Sequence, residues 1–305
     1  LTRTLFAELR LRRVRRLTAG TTDHEHPAWS PDGRTLSFAA GPVDGRRVYL
    51  VDRKGHFACA VAPSGPVASR PRWAPDGRRI AFDARPGDAP PLILVQDLPE
   101  VGLEPRPLVP SREPGHASIH AAFSPDGRTL AYASDEGNPR QFHIWMMDLE
   151  SGERRQLTGE AERNDAHPAF SPDGTLLAFH RYQGENANQS SLYLLNVTSG
   201  ALLRLTDAHG FDKHACFATP EVLVFHREHP DGFQELRALH VVEGHDVPLH
   251  WSVEEGKRDA KQPAVRVTRR GRVRVAFAGR PRETVAGSAR PYDLYVGALD
   301  GFEES

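Results

Sequence analysis

Cysteine is nearly missing from these 305 residues: Cys59 and Cys216 are the only two, too few for a disulfide framework. Long apolar runs are missing as well, and none approaches the ~18 residues that a membrane-spanning helix needs. The sequence opens at Leu1 without an apolar signal core, so the compartment is not readable from that end. An excess of either charge is also lacking. The 39 Lys and Arg against 40 Asp and Glu leave a net charge of −1, which excludes a nucleic-acid or anionic-membrane partner recruited by bulk electrostatics. One dense basic run exists, Arg10, Arg12, Arg13, Arg15 and Arg16, and its alternation with apolar residues reads as a strand face.

Turn formers, by contrast, are abundant. The 26 glycines and 25 prolines are spread along the chain, which suits many short strands. They fall in a repeat. His26-Pro-Ala-Trp-Ser-Pro-Asp-Gly33 returns as Arg70-Pro-Arg-Trp-Ala-Pro-Asp-Gly77, His120-Ala-Ala-Phe-Ser-Pro-Asp-Gly127 and His167-Pro-Ala-Phe-Ser-Pro-Asp-Gly174. Degenerate copies follow at His214-Ala-Cys-Phe-Ala-Thr-Pro-Glu221 and Gln262-Pro-Ala-Val-Arg-Val. The anchor positions Trp29, Trp73, Phe123, Phe170, Phe217 and Val265 are spaced by 44, 50, 47, 47 and 48 residues. That period fits one four-stranded propeller blade.

Each repeat parses into strands a to d. Ser-Pro-Asp-Gly is the a–b hairpin turn: Pro presets φ, Asp accepts backbone N–H bonds and Gly takes the left-handed position. Strand b carries Phe38, Phe82, Tyr132, Phe179, Phe225 and Phe277. Asp52, Asp148, Asn196 and Asp300 recur before the c–d turn, where capping explains them. The last repeat runs out after strand c, and Val14-Arg-Arg-Leu-Thr18 matches the strand d of earlier repeats. The expectation is therefore an all-β, six-bladed propeller of antiparallel four-stranded blades, closed by the N-terminal strand. The blades fall at about 24–62, 69–110, 117–158, 165–206, 212–252 and 260–300, with 11–18 completing the last.

The repeat resembles the TolB-type, WD40-like propeller repeat, which also occurs in the propellers of prolyl oligopeptidase-like peptidases and of oligogalacturonate lyases. The resemblance covers nearly the whole chain. It implies the fold and a periplasmic or secreted location, and it is poor evidence for function. Fewer than 25 residues precede the first blade, so the extra N-terminal domain of TolB is not expected. The peptidases need a hydrolase domain, and no Gly-x-Ser-x-Gly elbow occurs here. The lyases are seven-bladed with a histidine-rich metal centre, so this chain departs from them in blade number.

One column of the repeat carries chemistry. The start of strand a reads His26, Arg70, His120, His167, His214, Gln262. With 15 histidines in 305 residues, six positions would hold about 0.3 by chance. Imidazoles converging from separate blades suit a divalent transition metal such as Fe, Zn or Mn, with Gln262 adding an oxygen. The alternative is that each histidine bonds a neighbouring blade's loop. A second column, after the strand b aromatic, contributes His180 and His226, followed by Arg181 and Arg227. With Arg70 and Glu25 these are candidate ligand-binding residues, since arginine suits carboxylate or phosphate. Asn164, Asp165 and Asp212 are candidates to orient the ring histidines. The long b–c loops, residues 85–91, 134–141, 181–191, 227–235 and 279–293, lie on the same face.

Three functions compete: a metal- or ligand-binding propeller, a metal-dependent enzyme acting on an acidic sugar, and a scaffold for a protein docking on the channel face. The expected partner is a small anionic ligand or such a protein, and the expected state a monomer. The Asn-x-Ser/Thr matches at Asn188 and Asn196 matter only in a eukaryotic secretory setting, which nothing supports.

Overall fold

The computed structural model describes residues 6, 9–62, 65–98, 104–110, 115–183, 189–207, 210–251, 258–281 and 290–301. The tips of two long b–c loops and the match at Asn188 lie outside the described residues.

The strands form six antiparallel four-stranded blades, those at 163–204 and 211–248 being joined by a parallel bridge between Ser190 and Phe211. The six a strands are His24–Trp29, Val67–Trp73, Ser118–Phe123, Arg163–Phe170, Phe211–Thr219 and Arg258–Val267. Each packs against the next around the axis, and the last packs back on the first, so the disc is closed. No described helix is long and apolar enough to cross a membrane.

The Pro-Asp-Gly turns fold as their chemistry dictates. Gly33 sits at φ +68°, its N–H bonds the Ser30 carbonyl at 2.8 Å, and the Asp32 carboxylate accepts from Ser30 Oγ at 2.7 Å and Arg34 N at 3.0 Å. The c–d turns are capped likewise: Asp148 Oδ1 accepts from the N–H groups of Glu150 and Ser151. All six strand b aromatics are fully buried between neighbouring blades. At about 25 cal/mol per Å² of apolar surface, burial of this kind is the main stabilising contribution of each blade.

Closure uses Arg10–Arg16, which pairs antiparallel with Asp293–Asp300. Leu17 and Thr18 then repeat a device of two other blades. Thr18 Oγ1 accepts from Leu294 N at 2.9 Å, as Thr158 Oγ1 does from Ile144 N and Thr206 Oγ1 from Leu192 N. The N-terminal segment is thus a strand d in its side-chain contacts as well as in its pairing.

Candidate functional site

The histidine column occupies one backbone feature repeated six times. Between residues 25 and 28, and at the equivalent place in every a strand, the a–b register shifts by a β-bulge. The bulged residues are His26, Arg70, His120, His167, His214 and Gln262, with φ of +53°, +51°, +63°, +53°, +55° and +55°. A bulge re-aims a side chain, and the left-handed region is costly for residues with a Cβ. The same conformation recurs in all six blades, so the six side chains leave their strands at equivalent places.

The bulge brings the column together. The His120 and His167 rings stack at 3.6 Å between centroids, His167 and His214 lie at 3.8 Å, and His26 and His214 at 5.6 Å. Gln262 closes the ring: its Oε1 accepts from His26 N at 3.0 Å and its Nε2 lies 3.1 Å from His26 Nε2. The second column sits just outside. His180 stacks on His167 at 5.2 Å and His226 on His214 at 4.9 Å. From blade two, Asp83 accepts from His120 N at 2.8 Å and meets Arg70 Nη1 at 3.4 Å.

The hydrogen bonds fix two tautomers. Gln262 N–H donates to His226 Nδ1 at 3.3 Å, so neutral His226 carries its proton on Nε2. The Gln262 amide nitrogen donates to His26 Nε2, so His26 carries its proton on Nδ1. Both N–H groups, His226 Nε2 and His26 Nδ1, are buried without a partner. Both nitrogens of His120 and of His214, and His180 Nδ1, are buried without one too. An unmet buried polar group costs about 1–3 kcal/mol.

The field at the ring is positive. Burial pushes His26, His120, His167, His214 and His226 well below the ordinary imidazole range; after burial come Arg70 for His26 and His120, Lys213 for His226, and the neighbouring imidazoles for His167 and His214, on which Arg70 and Lys213 act more weakly. His180 falls to about 3 by burial, then Lys213 and Arg70. Burial lifts Asp83 to about 6 against the pull of Arg70. The rings are therefore neutral at pH 7.

The other candidates have separate work. Arg181 and Arg227 follow inward-facing histidines on their strands, so alternation turns them to the opposite face. There Arg181 grips Asp165 at 2.6 and 2.9 Å, and Arg227 grips Asp212 at 2.6 and 2.8 Å. The same pairs use both oxygens of Asp165 and Asp212, which therefore do not orient the ring histidines. Asn164 Oδ1 accepts from Phe142 N. Glu25 pairs with Arg46 at 2.9 Å and with Lys261.

For a metal, the donor chemistry fits in kind, since neutral imidazoles with free lone pairs are present. The arrangement does not gather them: stacked rings hold their in-plane lone pairs side by side, and no group of three or more His, Cys, Asp or Glu among the described residues is disposed to hold a metal ion. Beneath the ring, toward the Pro-Asp-Gly turns, an axial cavity of about 290 Å³ is lined by all six anchor residues, by Arg72 and by His167 and His214. The anchors thus pack between blades and also face the axis, a role the repeat did not announce. Cys216 is inert, its thiol pushed up to about 12 by burial.

The family described as TolB beta propeller domain matches residues 95–238. A structure assigned as TolB from Agrobacterium tumefaciens is similar at 19% identity and TM-score 0.61, over 91% of this chain and 90% of that one. TolB from Acinetobacter baumannii matches at 16% identity and TM-score 0.58, over 88% of this chain and 64% of that one. An oligogalacturonate lyase from Vibrio parahaemolyticus matches at 14% identity and TM-score 0.55, over 93% of both chains. No curated protein sequence matches.

Proposed function

We propose that this β-propeller, similar in fold to TolB, binds a small carboxylate-bearing ligand at the axial histidine ring. The observation that carries this reading is the pair of buried, unpartnered N–H donors, His26 Nδ1 and His226 Nε2, both fixed by Gln262, the first in the field of Arg70 and the second in that of Lys213 and Lys261. A carboxylate accepts from both donors and gains from the positive field, whereas that field opposes a divalent cation. Arg70 is the cationic member of the ring and the residue best able to grip a carboxylate in a fork. An acidic sugar is the class suggested by the similarity to the lyase.

A second reading rests on the unpartnered nitrogens of His120 and His214: with His167 they supply neutral imidazole donors, which would have to turn out of their stack to share a divalent transition metal such as Zn, Fe or Mn. The bound ion would act as a Lewis acid toward an acidic ligand.

Titration calorimetry with galacturonate and digalacturonate, with glucose as the neutral control, tests the first reading. Binding of the acids alone, lost in Arg70→Gln and in Gln262→Leu, is the expected result. Equal binding of glucose, or full binding in both variants, would refute it. Elemental analysis of the wild type beside His120→Ala/His167→Ala tests the second: stoichiometric metal in the first and none in the pair supports it, and no metal in either removes it.

A further inference from the structure

The blade-six to blade-one seam departs from the repeat in a way that the axial site does not use. Blades one to four each carry Pro-Asp-Gly in the a–b turn, whereas blade six reads Thr268-Arg269-Arg270-Gly271. The tight turn is kept, with Gly271 N bonding the Thr268 carbonyl at 2.9 Å as Gly33 N bonds Ser30, but the hairpin closes one residue sooner, Thr268 N bonding the Arg272 carbonyl where Ser30 N bonds Thr35. Its chemistry also differs: Arg270 stands where the turns of blades one to four have Asp.

The packing at this seam differs too. A Cβ built on the turn glycine of blade two, three or four would rest on the proline of the preceding turn, Pro31, Pro75 or Pro125, at 3.5 to 3.8 Å. On Gly33 it would run into the guanidinium of Arg266 instead. Gly33 is thus needed for its φ and for the arginine lying across it.

Around that guanidinium is a hollow of about 350 Å³ on the turn face. Arg13, Arg15, Arg53, Arg266, Arg274 and Trp29 line it, and no carboxylate is among its lining residues. Arg13 is set there by a bulge in the closing strand, at φ +52° between Arg12 and Arg15. Arg266 Nη2 donates to the Asp32 carbonyl at 2.9 Å, and its Nε is buried without a partner. Arg15 donates to the Arg53 carbonyl. Among the described residues, Arg13, Arg53 and Arg274 form no ion pair, and Asp32 gives its carboxylate to Ser30 and Arg34 in its own turn. A neighbouring hollow of about 780 Å³ shares Arg13 and Arg274 and adds Arg270 and Arg272, against the single acid Asp300.

We propose that this seam is a binding site for a small phosphate-bearing ligand, held by Arg13, Arg53, Arg266 and Arg274. Five guanidiniums around one hollow repel one another, and a multiply charged anion is the partner that turns the repulsion into attraction. The planar forks fit phosphate oxygens in pairs. The size suits a small molecule, and the site lies on the opposite end of the blades from the histidine ring, so neither proposal depends on the other.

The test is titration calorimetry with inorganic pyrophosphate, beside potassium chloride of matched ionic strength, on the wild type and Arg13→Gln/Arg274→Gln. ADP and glucose 6-phosphate form two further arms. The expected result is saturable binding by the wild type, weakened at least about tenfold in the double variant, with a melting temperature raised by pyrophosphate in the wild type alone. Tighter binding of ADP than of pyrophosphate assigns the ligand as a nucleotide, and the reverse order as a simple phosphate. A stabilisation reproduced by potassium chloride, or undiminished pyrophosphate binding by a double variant that melts like the wild type, overturns the proposal.

Discussion

Acid should unfold this protein well above the carboxylate range. Six histidines are held neutral, with pKa values below the ordinary 6.5: His26, His120, His167, His180 and His226 are buried, and His214 is half-buried with both ring nitrogens buried. In the unfolded chain each titrates near its ordinary value, so between the two pKa values the unfolded state binds more protons. Their stability contribution is present above about pH 6.5 and is lost as pH falls. From pH 7 to 5.5 each loses about 1.25 kcal/mol, or about 7.5 kcal/mol for the six. Asp83 runs the other way: with its folded pKa raised to about 6, it favours the folded state as pH falls and returns about 0.8 kcal/mol. The net loss of about 7 kcal/mol rivals the whole stability of an ordinary domain, about 5–15 kcal/mol. Urea unfolding at pH 7, 6.25 and 5.5, followed by tryptophan fluorescence, measures it. His120→Gln/His214→Gln should recover about 2.5 kcal/mol of the pH-dependent loss, having two fewer groups to protonate. A wild-type loss below about 2 kcal/mol over that range would show that the rings titrate in the folded disc, and the reasoning would fail.

Two further perturbations test the scaffold. Asp165→Ala leaves Arg181, whose side chain is only 4% exposed, with Glu160 as its remaining carboxylate partner, and should cost about 3 kcal/mol in urea unfolding. Arg106→Ala, which breaks the exposed pair with Asp97, should cost under about 1 kcal/mol in the same assay. At the closure, a Cβ on Gly297 would lie 2.9 Å from Val14 Cγ2, so Gly297→Val should push the first strand off the last blade. Hydrogen exchange of the amides in Arg10–Arg16 should then speed up before those of Val273–Pro281 do, and equal acceleration of both would count against closure by that strand.

The fold was legible because its information is local and repeated. A Pro-Asp-Gly turn, a buried strand b aromatic and a Leu-Thr strand end each impose their own geometry, and Thr18 could be matched to Thr158 and Thr206 by that chemistry alone. The histidine column was legible for the same reason, as a position in the repeat. Its backbone was not: nothing in His26-Pro or His120-Ala announces a bulge at positive φ, because that conformation is imposed by the pairing of strand a with strand b. Charge pairing was equally hidden. Arg181 and Arg227 stand beside histidines in sequence, yet strand alternation sends them to the opposite face, where Asp165 and Asp212 wait.

The site's character turns on the member of the column that breaks the pattern. Gln262 is an amide, with a donor and an acceptor whose positions are fixed relative to each other. Because its oxygen is taken by His26 N, its nitrogen must face the His26 ring, and because its own N–H points at His226, a second ring is set as well. A histidine at position 262 could have taken either tautomer and would have left the His26 ring unset, while its backbone N–H still fixed His226. The ring therefore presents N–H groups at two defined atoms, a property of an acceptor-binding site, through the one residue that a search for metal ligands ranks last.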